Sequence, residues 1–471
     1  MIQQLQIKNF KAWQDTGTIE MSPITLFFGA NSSGKSSIGQ FLMMLKQTVQ
    51  SSDRKAVFNP GGKNSAAQLG SYREMVFNRE LKNKIEFEYK WSLDKALKVR
   101  DPVSGTTFSG DTLVFQAVVG MSGAHEDLLA VELFQYKLIN KGSDVLSVGL
   151  KRKPGTKFEY QVESEQYDFK RKKMRVWTLK EAVRFYGFPD ELVAYYQNAD
   201  FVQELNLMQE RLFNSIYYLG PLRSKAERLY RWGGINPESV GYSGENAIAT
   251  ILAGRGRKIG LVKSGAKRAS KTLPIEEIIA QKLKEMGLIE EFSVQQLSEQ
   301  RQEYEVRVRT RGARDSVDLP DVGFGISQVL PVLVQCFYAP PGSIIIMEQP
   351  EIHLHPSAQS ALADAMTDVI NSKENGKDRN IQLIIETHSE YFLKRLQRRI
   401  AEDSITTDRV STYFADNGKS PSTLEALQID TFGNIKNWPK NFFGDGMGDM
   451  TAHAKATMKK RIAQSENNEG S

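Results

Sequence analysis

The sequence predicts an α/β fold made of two lobes that lie far apart along its 471 residues. Near the N-terminus, an apolar strand, a glycine-rich loop and an amphipathic helix follow one another directly. After residue 321, apolar strands that end in acids alternate with helical segments. Between these regions the pattern changes to alternating strands and then to helix, which predicts a β-rich and helical insertion.

The first lobe contains a phosphate-binding pattern at residues 29–36, Gly-Ala-Asn-Ser-Ser-Gly-Lys-Ser. It fits Gly-x4-Gly-Lys-[Ser/Thr], with an apolar strand before it and an apolar helical pattern after it. Glycines let backbone amides turn toward phosphate oxygens, and the new helix points its positive end at the same anion. We therefore expect Lys35 to neutralise β/γ-phosphate charge and Ser36 to offer its hydroxyl to Mg²⁺.

Two later strands carry polar residues at their ends. Residues 343–348 form an apolar run that ends in Glu348. An acid at the end of a strand beside a phosphate loop typically holds Mg²⁺ or its waters. Residues 381–385 form a second run, and His388 follows at a position from which it could reach a γ-phosphate. Histidines such as His353 and His355 are more often structural than metal ligands. Pro356 and the single cysteine argue against a zinc site.

A third motif, at residues 321–328, places Gly325 and Ser327 ahead of an apolar helical run. Amides at such a helix start form another phosphate site. A single phosphate pocket needs only one such loop. Two loops are expected where two phosphate sites face each other.

The middle of the chain mixes patterns. Residues 84–169 alternate and predict an antiparallel sheet; residues 179–217 predict helix with a break at 188–190. We expect a helix at 275–286 and a strand at 304–309. The basic segment from Arg255 to Lys271 is glycine- and serine-rich, and is either a solvated loop or a nucleic-acid contact. The predicted segments are 1–80, 81–320, 321–400 and 401–471.

Composition narrows the class of protein. Net charge is +6 with pI near 9.0, which permits a nucleic-acid partner without requiring one. No run of eighteen apolar residues and no N-terminal signal pattern are present, so we expect a cytoplasmic protein with no membrane span. The single Cys336 excludes a disulfide scaffold.

At these four motifs the sequence resembles the ABC-type ATPases of the SMC/OLD branch. Residues 29–37 resemble the family's Walker A loop, 322–328 a degenerate signature loop, 344–356 Walker B with its following loop, and 386–390 the switch-histidine segment. Residues 218–223 and 437–445 are similar to a subgroup from anti-phage defence operons. The ATPase subunit of PARIS-type systems, which partners a separate effector, is the nearest resemblance.

The resemblance implies an ABC-ATPase head folded from N- and C-terminal lobes around the insertion. It also implies that two heads sandwich two ATP molecules with Mg²⁺, so that Glu348 serves Mg²⁺, His388 senses the γ-phosphate and Gln68 is a weak candidate for the loop glutamine that joins the lobes. The nucleotide-binding positions that the resemblance implies are Gly29, Asn31, Ser33, Gly34, Lys35, Ser36 and Ser37, with Gly325, Ser327 and Gln328 facing the partner's ATP.

One position departs from the pattern. Many relatives carry glutamate after the Walker B acid as base for the attacking water, and here Gln349 stands there. An amide can orient water but cannot accept its proton. Glu351 is the nearest alternative base, or else a structural loop acid. We therefore expect slow turnover and a long-lived ATP-bound state, which suits a switch.

Three other functions compete with a defence switch. An OLD-type nuclease in one chain would need an acidic set, for which only Asp445 and Asp449 are candidates. A DNA-repair or chromosome-handling ATPase would need a basic surface such as the 255–271 segment. A transporter ATPase fits poorly with the large insertion. The aromatic tail, Trp438 to Phe443, either docks a partner or packs on its own core.

Overall fold

The computed structural model describes residues 1–122, 128–156, 159–172, 178–262, 271–298, 301–418, 420–439, 442–443 and 450–460. The nuclease candidates Asp445 and Asp449 lie outside these residues, as do positions 263–270 of the basic segment.

The α-helices that have both ends within the described residues are α1 (Lys35–Gln50), α2 (Tyr72–Met75), α3 (Asp190–Tyr195), α4 (Phe201–Asn214), α5 (Ala247–Ala253), α6 (Ile275–Glu285), α7 (Phe324–Tyr338), α8 (Pro356–Asn371) and α9 (Glu390–Ala401). The strands are β1 (Ile2–Phe10), β2 (Trp13–Asp15), β3 (Ile19–Glu20), β4 (Ile24–Gly29), β5 (Ile85–Arg100), β6 (Thr107–Met121), β7 (Leu129–Asn140), β8 (Ser143–Arg152), β9 (Tyr160–Glu165), β10 (Ile216–Leu219), β11 (Tyr230–Arg231), β12 (Lys258–Leu261), β13 (Lys271–Pro274), β14 (Glu291–Ser298), β15 (Arg301–Arg309), β16 (Val317–Asp318), β17 (Ile344–Glu348), β18 (Lys373–Glu374), β19 (Lys377–Asp378), β20 (Gln382–Glu386), β21 (Val410–Asp416) and β22 (Thr423–Ala426).

A six-stranded sheet forms the centre of the fold, in the order β10-β17-β20-β4-β21-β22. Its first five strands are parallel and β22 is antiparallel. Helices cover parallel strands on both faces, which is why β17 and β20 are almost continuously apolar. With the phosphate loop between β4 and α1, this is the predicted P-loop ATPase fold, and the α/β class is confirmed.

The central sheet draws strands from all four predicted segments. Strand β10 comes from within 81–320, while β21 and β22 follow residue 400 and extend the sheet beside β4. Strand β4, which leads into the phosphate loop, therefore lies between β20 and β21, and both of these neighbours come from the C-terminal part of the sequence. Non-local pairing of this kind is not visible in a local pattern.

An eight-stranded antiparallel sheet packs beside the central one. Strands β5 to β9 form it together with the N-terminal strands β1 to β3, as the alternating pattern predicted. Helix α1 lies between the two sheets, where Phe41 contacts Phe10 and Phe87, each at 5.1 Å between ring centroids. A helix buried on all sides has no polar face, and nearly every residue of α1 is buried.

The helix expected over 179–217 is partly wrong. Only α3 and α4 are helical, while residues 179–187 are irregular and place Phe185 in the aromatic core beside Phe87 and Phe115. An isolated bridge between Leu179 and Tyr160 of β9 holds this segment to the sheet, so tertiary packing overrides its helical periodicity. The expected helix at 275–286 and strand at 304–309 correspond to α6 and β15.

The aromatic tail packs on the protein's own core. Phe442 is buried, with its ring 5.3 Å from Phe28 and 5.1 Å from Phe414. Trp438 lies against Phe442 at 5.1 Å and is 46% exposed. Phe442 therefore stabilises the strand that leads into the phosphate loop, and it is not available as part of a docking surface.

The two arginines at the start of the basic segment are tied to neighbouring elements. Arg255 pairs with Glu276 at 3.0 Å, and Arg257 pairs with Glu374 at 2.9 Å. The Arg255 side chain remains 44% exposed, whereas that of Arg257 is 28% exposed. In the part of the chain that is described, no helix has the length and apolar character needed to cross a bilayer.

Candidate nucleotide site

The phosphate loop requires glycine at two positions. Gly29 has φ 141° and Gly34, which precedes α1, has φ 92°. A Cβ at Gly29 would lie 2.1 Å from the Ala415 carbonyl oxygen, and one at Gly34 would lie 3.0 Å from the Trp13 ring. The loop is therefore clamped by β21 on one side and by the N-terminal hairpin on the other.

Lys35 lies across the loop that carries it. Its Nζ donates to the carbonyl oxygens of Gly29 (3.1 Å) and Ala30 (2.7 Å), and it is 3.9 Å from Glu386 Oε1. Burial lowers the pKa of Lys35, and the Glu386 carboxylate opposes this shift. The cation is thus held at the mouth of the loop, where a phosphate can take over its hydrogen bonds.

Ser37 has a structural role in the same loop. Its hydroxyl donates to the Gly34 carbonyl at 2.5 Å and accepts from Trp13 Nε1 at 2.9 Å. Both interactions hold the first turn of α1. Ser33 is fully buried and its hydroxyl has no hydrogen-bond partner.

Glu348 lies at the end of β17 in a buried polar environment. Its Oε1 accepts from the Tyr218 hydroxyl at 2.7 Å, and Arg223 donates to its backbone carbonyl at 3.3 Å. Burial and repulsion from Glu386 raise the pKa of Glu348 to about 7, although the Tyr218 hydrogen bond acts in the opposite direction. A cation bound beside this carboxylate would offset the free-energy cost of burying its negative charge.

Glu386 is a site residue that the sequence interpretation missed. It ends β20 in direct register with Glu348, and its carboxylate lies beside the Ser36 hydroxyl. Burial raises the pKa of Glu386, while Ser36 and Lys35 oppose the shift. The signal was in the sequence, because the acid directly follows an apolar strand, as Glu348 does.

The loops after the two strands are connected to each other. Gln349 has φ 44° and its backbone N–H donates to the Glu386 carbonyl at 2.8 Å. Glu351 is buried, and its Oε1 accepts from the backbone N–H of His388 at 2.9 Å. Among the described residues, the second oxygen of Glu351 has no hydrogen-bond partner. Glu351 thus positions the segment of His388, whose imidazole pKa is lowered by burial and by Lys35.

The phosphate loop and the residues Glu348, Gln349, Glu386 and His388 line one cavity of about 420 Å³. Hydroxyl and carboxylate oxygens are the ligands that Mg²⁺ prefers, and a lysine beside loop amides suits phosphates, so the donor set fits a magnesium nucleotide. Lys11, a second cation that the sequence interpretation missed, also lines the cavity and donates to Gln40 at 2.6 Å. The lining residues are Lys11, Ala12, Asn31, Ser32, Ser33, Gly34, Lys35, Ser36, Ser37, Pro221, Glu348, Gln349, Glu386 and His388.

The signature candidates lie elsewhere. Gly325 and Ser327 are within the first two turns of α7 rather than ahead of it, because the helix begins at Phe324. Ser327 donates to the Phe324 carbonyl at 2.8 Å and lines a separate cavity of about 220 Å³. Gln328 is buried, and its Nε2 has no partner.

Gln68 is also away from the nucleotide cavity. It is exposed, and its side chain donates to the Lys63 carbonyl at 2.9 Å. The structure therefore places Gln68 on a surface loop.

The two histidines after β17 have structural contacts. His355 precedes α8 and its Nδ1 is 2.9 Å from the Ser357 hydroxyl, while the His353 ring packs edge-on against Phe324. Among the described residues, no group of three or more His, Cys, Asp or Glu side chains is arranged to hold a metal ion.

Comparison of the sequence with family models gives a match over residues 138–394, more than half of the chain. The matching model is described as "AAA domain, putative AbiEii toxin, Type IV TA system". The chain belongs to this family of AAA ATPase domains. A second model, "AAA ATPase domain", matches residues 1–217, and "Protein of unknown function (DUF3696)" matches residues 405–452. A search among curated proteins gave no significant match.

Similar solved structures include SMC heads. The Smc head bound to the C-winged helix domain of ScpA is 12% identical, with 91% of this chain and 98% of that chain covered and a TM-score of 0.43. The SMC head domain from Thermotoga maritima is 10% identical, with 91% and 99% covered and a TM-score of 0.38. An Smc head with an extended coiled coil from Pyrococcus furiosus is 10% identical, with 91% and 96% covered and a TM-score of 0.41.

Proposed function

We propose that this AAA ATPase domain is an ATP-dependent switch that hydrolyses ATP slowly and controls a separate effector in anti-phage defence. ATP with Mg²⁺ binds in the 420 Å³ cavity, and a second copy completes the site with its Gly325–Ser327 helix start. The bound state signals to the effector, which we expect to be a nuclease, and hydrolysis resets it. The toxin–antitoxin wording of the matching family model supports the defence role.

The separation of the two phosphate-binding motifs carries this proposal. Lys35, Ser36, Glu348 and His388 line one cavity, while Ser327 lines another. Among the described residues, the start of α7 therefore lies apart from the phosphate loop of its own chain. A second copy that faces the first would bring the two together.

Mass measurement in solution tests the paired state. We expect purified protein to be monomeric without nucleotide and to form dimers, or multiples of dimers, with ATP and Mg²⁺. ADP should not support pairing, because it lacks the γ-phosphate that the partner's helix start would contact. A mass that is the same with and without ATP would contradict the proposal.

Gln349→Glu should accelerate ATP hydrolysis. Gln349 lines the cavity and can orient water, whereas a carboxylate at this position can also accept its proton. General bases contribute roughly 10²-fold or more, so we expect an increase in kcat of about that size with little change in KM. The measurement is steady-state phosphate release, and wild-type turnover of many per second would be inconsistent with a slow switch.

The rival functions gain less support. In the basic segment, Arg255 and Arg257 form ion pairs with Glu276 and Glu374. These ion pairs weaken the case for a nucleic-acid surface there. Strong salt-sensitive duplex binding by the purified protein would revive a chromosome-handling role.

A further inference from the structure

Strand β20 lies between the strand that leads into the phosphate loop and the strand that carries Glu348. All three strands are parallel, so their carboxyl ends meet at one edge of the sheet. Glu386 is the last residue of β20 and is paired in register with Glu348. The topology therefore places a second carboxylate between Glu348 and the loop that holds Lys35 and Ser36.

The side-chain contacts of Glu386 lead toward the phosphate loop. Its Oε1 is 3.9 Å from Lys35 Nζ, and its carboxylate lies beside the Ser36 hydroxyl. The second oxygen, Oε2, is buried and has no hydrogen-bond partner among the residues that the structure describes. The side chain is 11% exposed and lines the nucleotide cavity. A buried carboxylate oxygen without a donor is costly unless a ligand satisfies it.

We propose that Glu386 is a further binding residue of the magnesium nucleotide site, where it acts with Glu348 and Ser36 on the cation or its bound waters. This inference rests on the proposed function, since it concerns the same site. The hydroxyl that follows the P-loop lysine is the side chain expected to serve Mg²⁺, and the Glu386 carboxylate lies beside that hydroxyl.

The position of Glu386 favours a metal role over that of a general base. A base must reach the water that attacks the γ-phosphate, which the sequence pattern assigns to the side of Gln349 and His388. The Glu386 side chain instead contacts Ser36 and Lys35, and only its backbone carbonyl contacts Gln349. Its carboxylate therefore lies on the metal side of the site.

Charge makes the proposal testable without any measurement of hydrolysis. Two carboxylates at the cavity repel the phosphates of ATP, while Lys11 and Lys35 attract them. A divalent cation placed between the carboxylates and the phosphates attracts both, so that it replaces repulsion by attraction. ATP should consequently bind wild-type protein weakly in EDTA and much more tightly with Mg²⁺.

The experiment compares the affinity of a fluorescent ATP analogue in EDTA and in Mg²⁺ for wild type, Glu386→Gln and Glu291→Gln. Glu291 is a matched control, since its side chain is 64% exposed, pairs with Arg309 and does not line the nucleotide cavity. In Glu386→Gln we expect tighter binding in EDTA and a gain from Mg²⁺ reduced at least roughly tenfold, a typical cost of losing a partner at a metal site. Glu291→Gln should behave as wild type.

The possible outcomes separate this inference from the proposed function. If Glu386→Gln keeps the wild-type gain from Mg²⁺, Glu386 has no metal role, while ATP binding stands. If wild type binds no nucleotide under either condition, the proposed function fails and this inference fails with it. Should the glutamine variant not fold, Glu386→Asp replaces it. The shorter carboxylate should also reduce the Mg²⁺ gain, and an unchanged gain would overturn the proposal.

Discussion

Lys35→Met is expected to weaken ATP binding by about 100-fold and to remove hydrolysis. Lys35 lies 2.7 Å from the Ala30 carbonyl at the mouth of the loop, where it can exchange backbone oxygens for phosphate oxygens. Hydrogen bonds to charged groups contribute roughly 1.5–3 kcal/mol, and 2.7 kcal/mol corresponds to about two decades in Kd. Titration with a fluorescent ATP analogue in Mg²⁺ measures the change directly.

Lys394→Met is the matched control for this substitution. Lys394 is 60% exposed on α9 and pairs only with Glu390 in the described contacts. Its replacement should leave ATP affinity within experimental error of wild type. Equal ATP affinity in Lys35→Met and wild type would mean that the 420 Å³ cavity is not the nucleotide site.

Arg379→Met is expected to destabilise the protein by about 3 kcal/mol or more. The Arg379 side chain is fully buried and donates to the carbonyl oxygens of Cys336, Phe337 and Ala339 at 3.3, 3.0 and 2.5 Å. These carbonyls end α7, where helix geometry leaves them without intrahelical partners. Each buried acceptor left without a donor costs roughly 1–3 kcal/mol, although removal of a buried charge offsets part of the loss.

The measurement is the midpoint of urea unfolding, followed by far-UV circular dichroism and by tryptophan fluorescence. Arg398→Met is the control, since Arg398 is 62% exposed and pairs with Glu402 on the same helix. Exposed pairs of this kind contribute less than about 1 kcal/mol. If Arg379→Met and Arg398→Met unfold at the same urea concentration, the guanidinium does not stabilise the end of α7.

Local pattern was sufficient for much of the site. The phosphate loop, the apolar strand that ends in Glu348 and the segment of His388 were predicted because each is a short run with its own chemistry. The order of strands was not predictable, because parallel pairing joins residues that are distant in sequence. Glu386 follows an apolar strand in the sequence, as Glu348 does, but its place beside Ser36 depends on the position of β20 between β17 and β4.

The irregular segment before α3 shows a second limit. Its apolar spacing suits a helix, but Phe185 and Tyr186 pack into the aromatic core of the antiparallel sheet instead. The Tyr136 hydroxyl donates to the Tyr186 backbone carbonyl at 3.0 Å. Tertiary contacts of this strength outweigh helix propensities of less than about 1 kcal/mol per residue.

The proposal that two copies share each ATP site is tested most directly by mixing two inactive variants. Lys35→Met removes the phosphate-loop half of both sites in a dimer, and Ser327→Arg blocks the signature half of both. Each variant alone is expected to lack ATP hydrolysis. In a mixed dimer, one site combines the intact phosphate loop of one copy with the intact α7 start of the other. We predict that an equimolar mixture regains hydrolysis, whereas a mixture as inactive as its components would contradict a shared site.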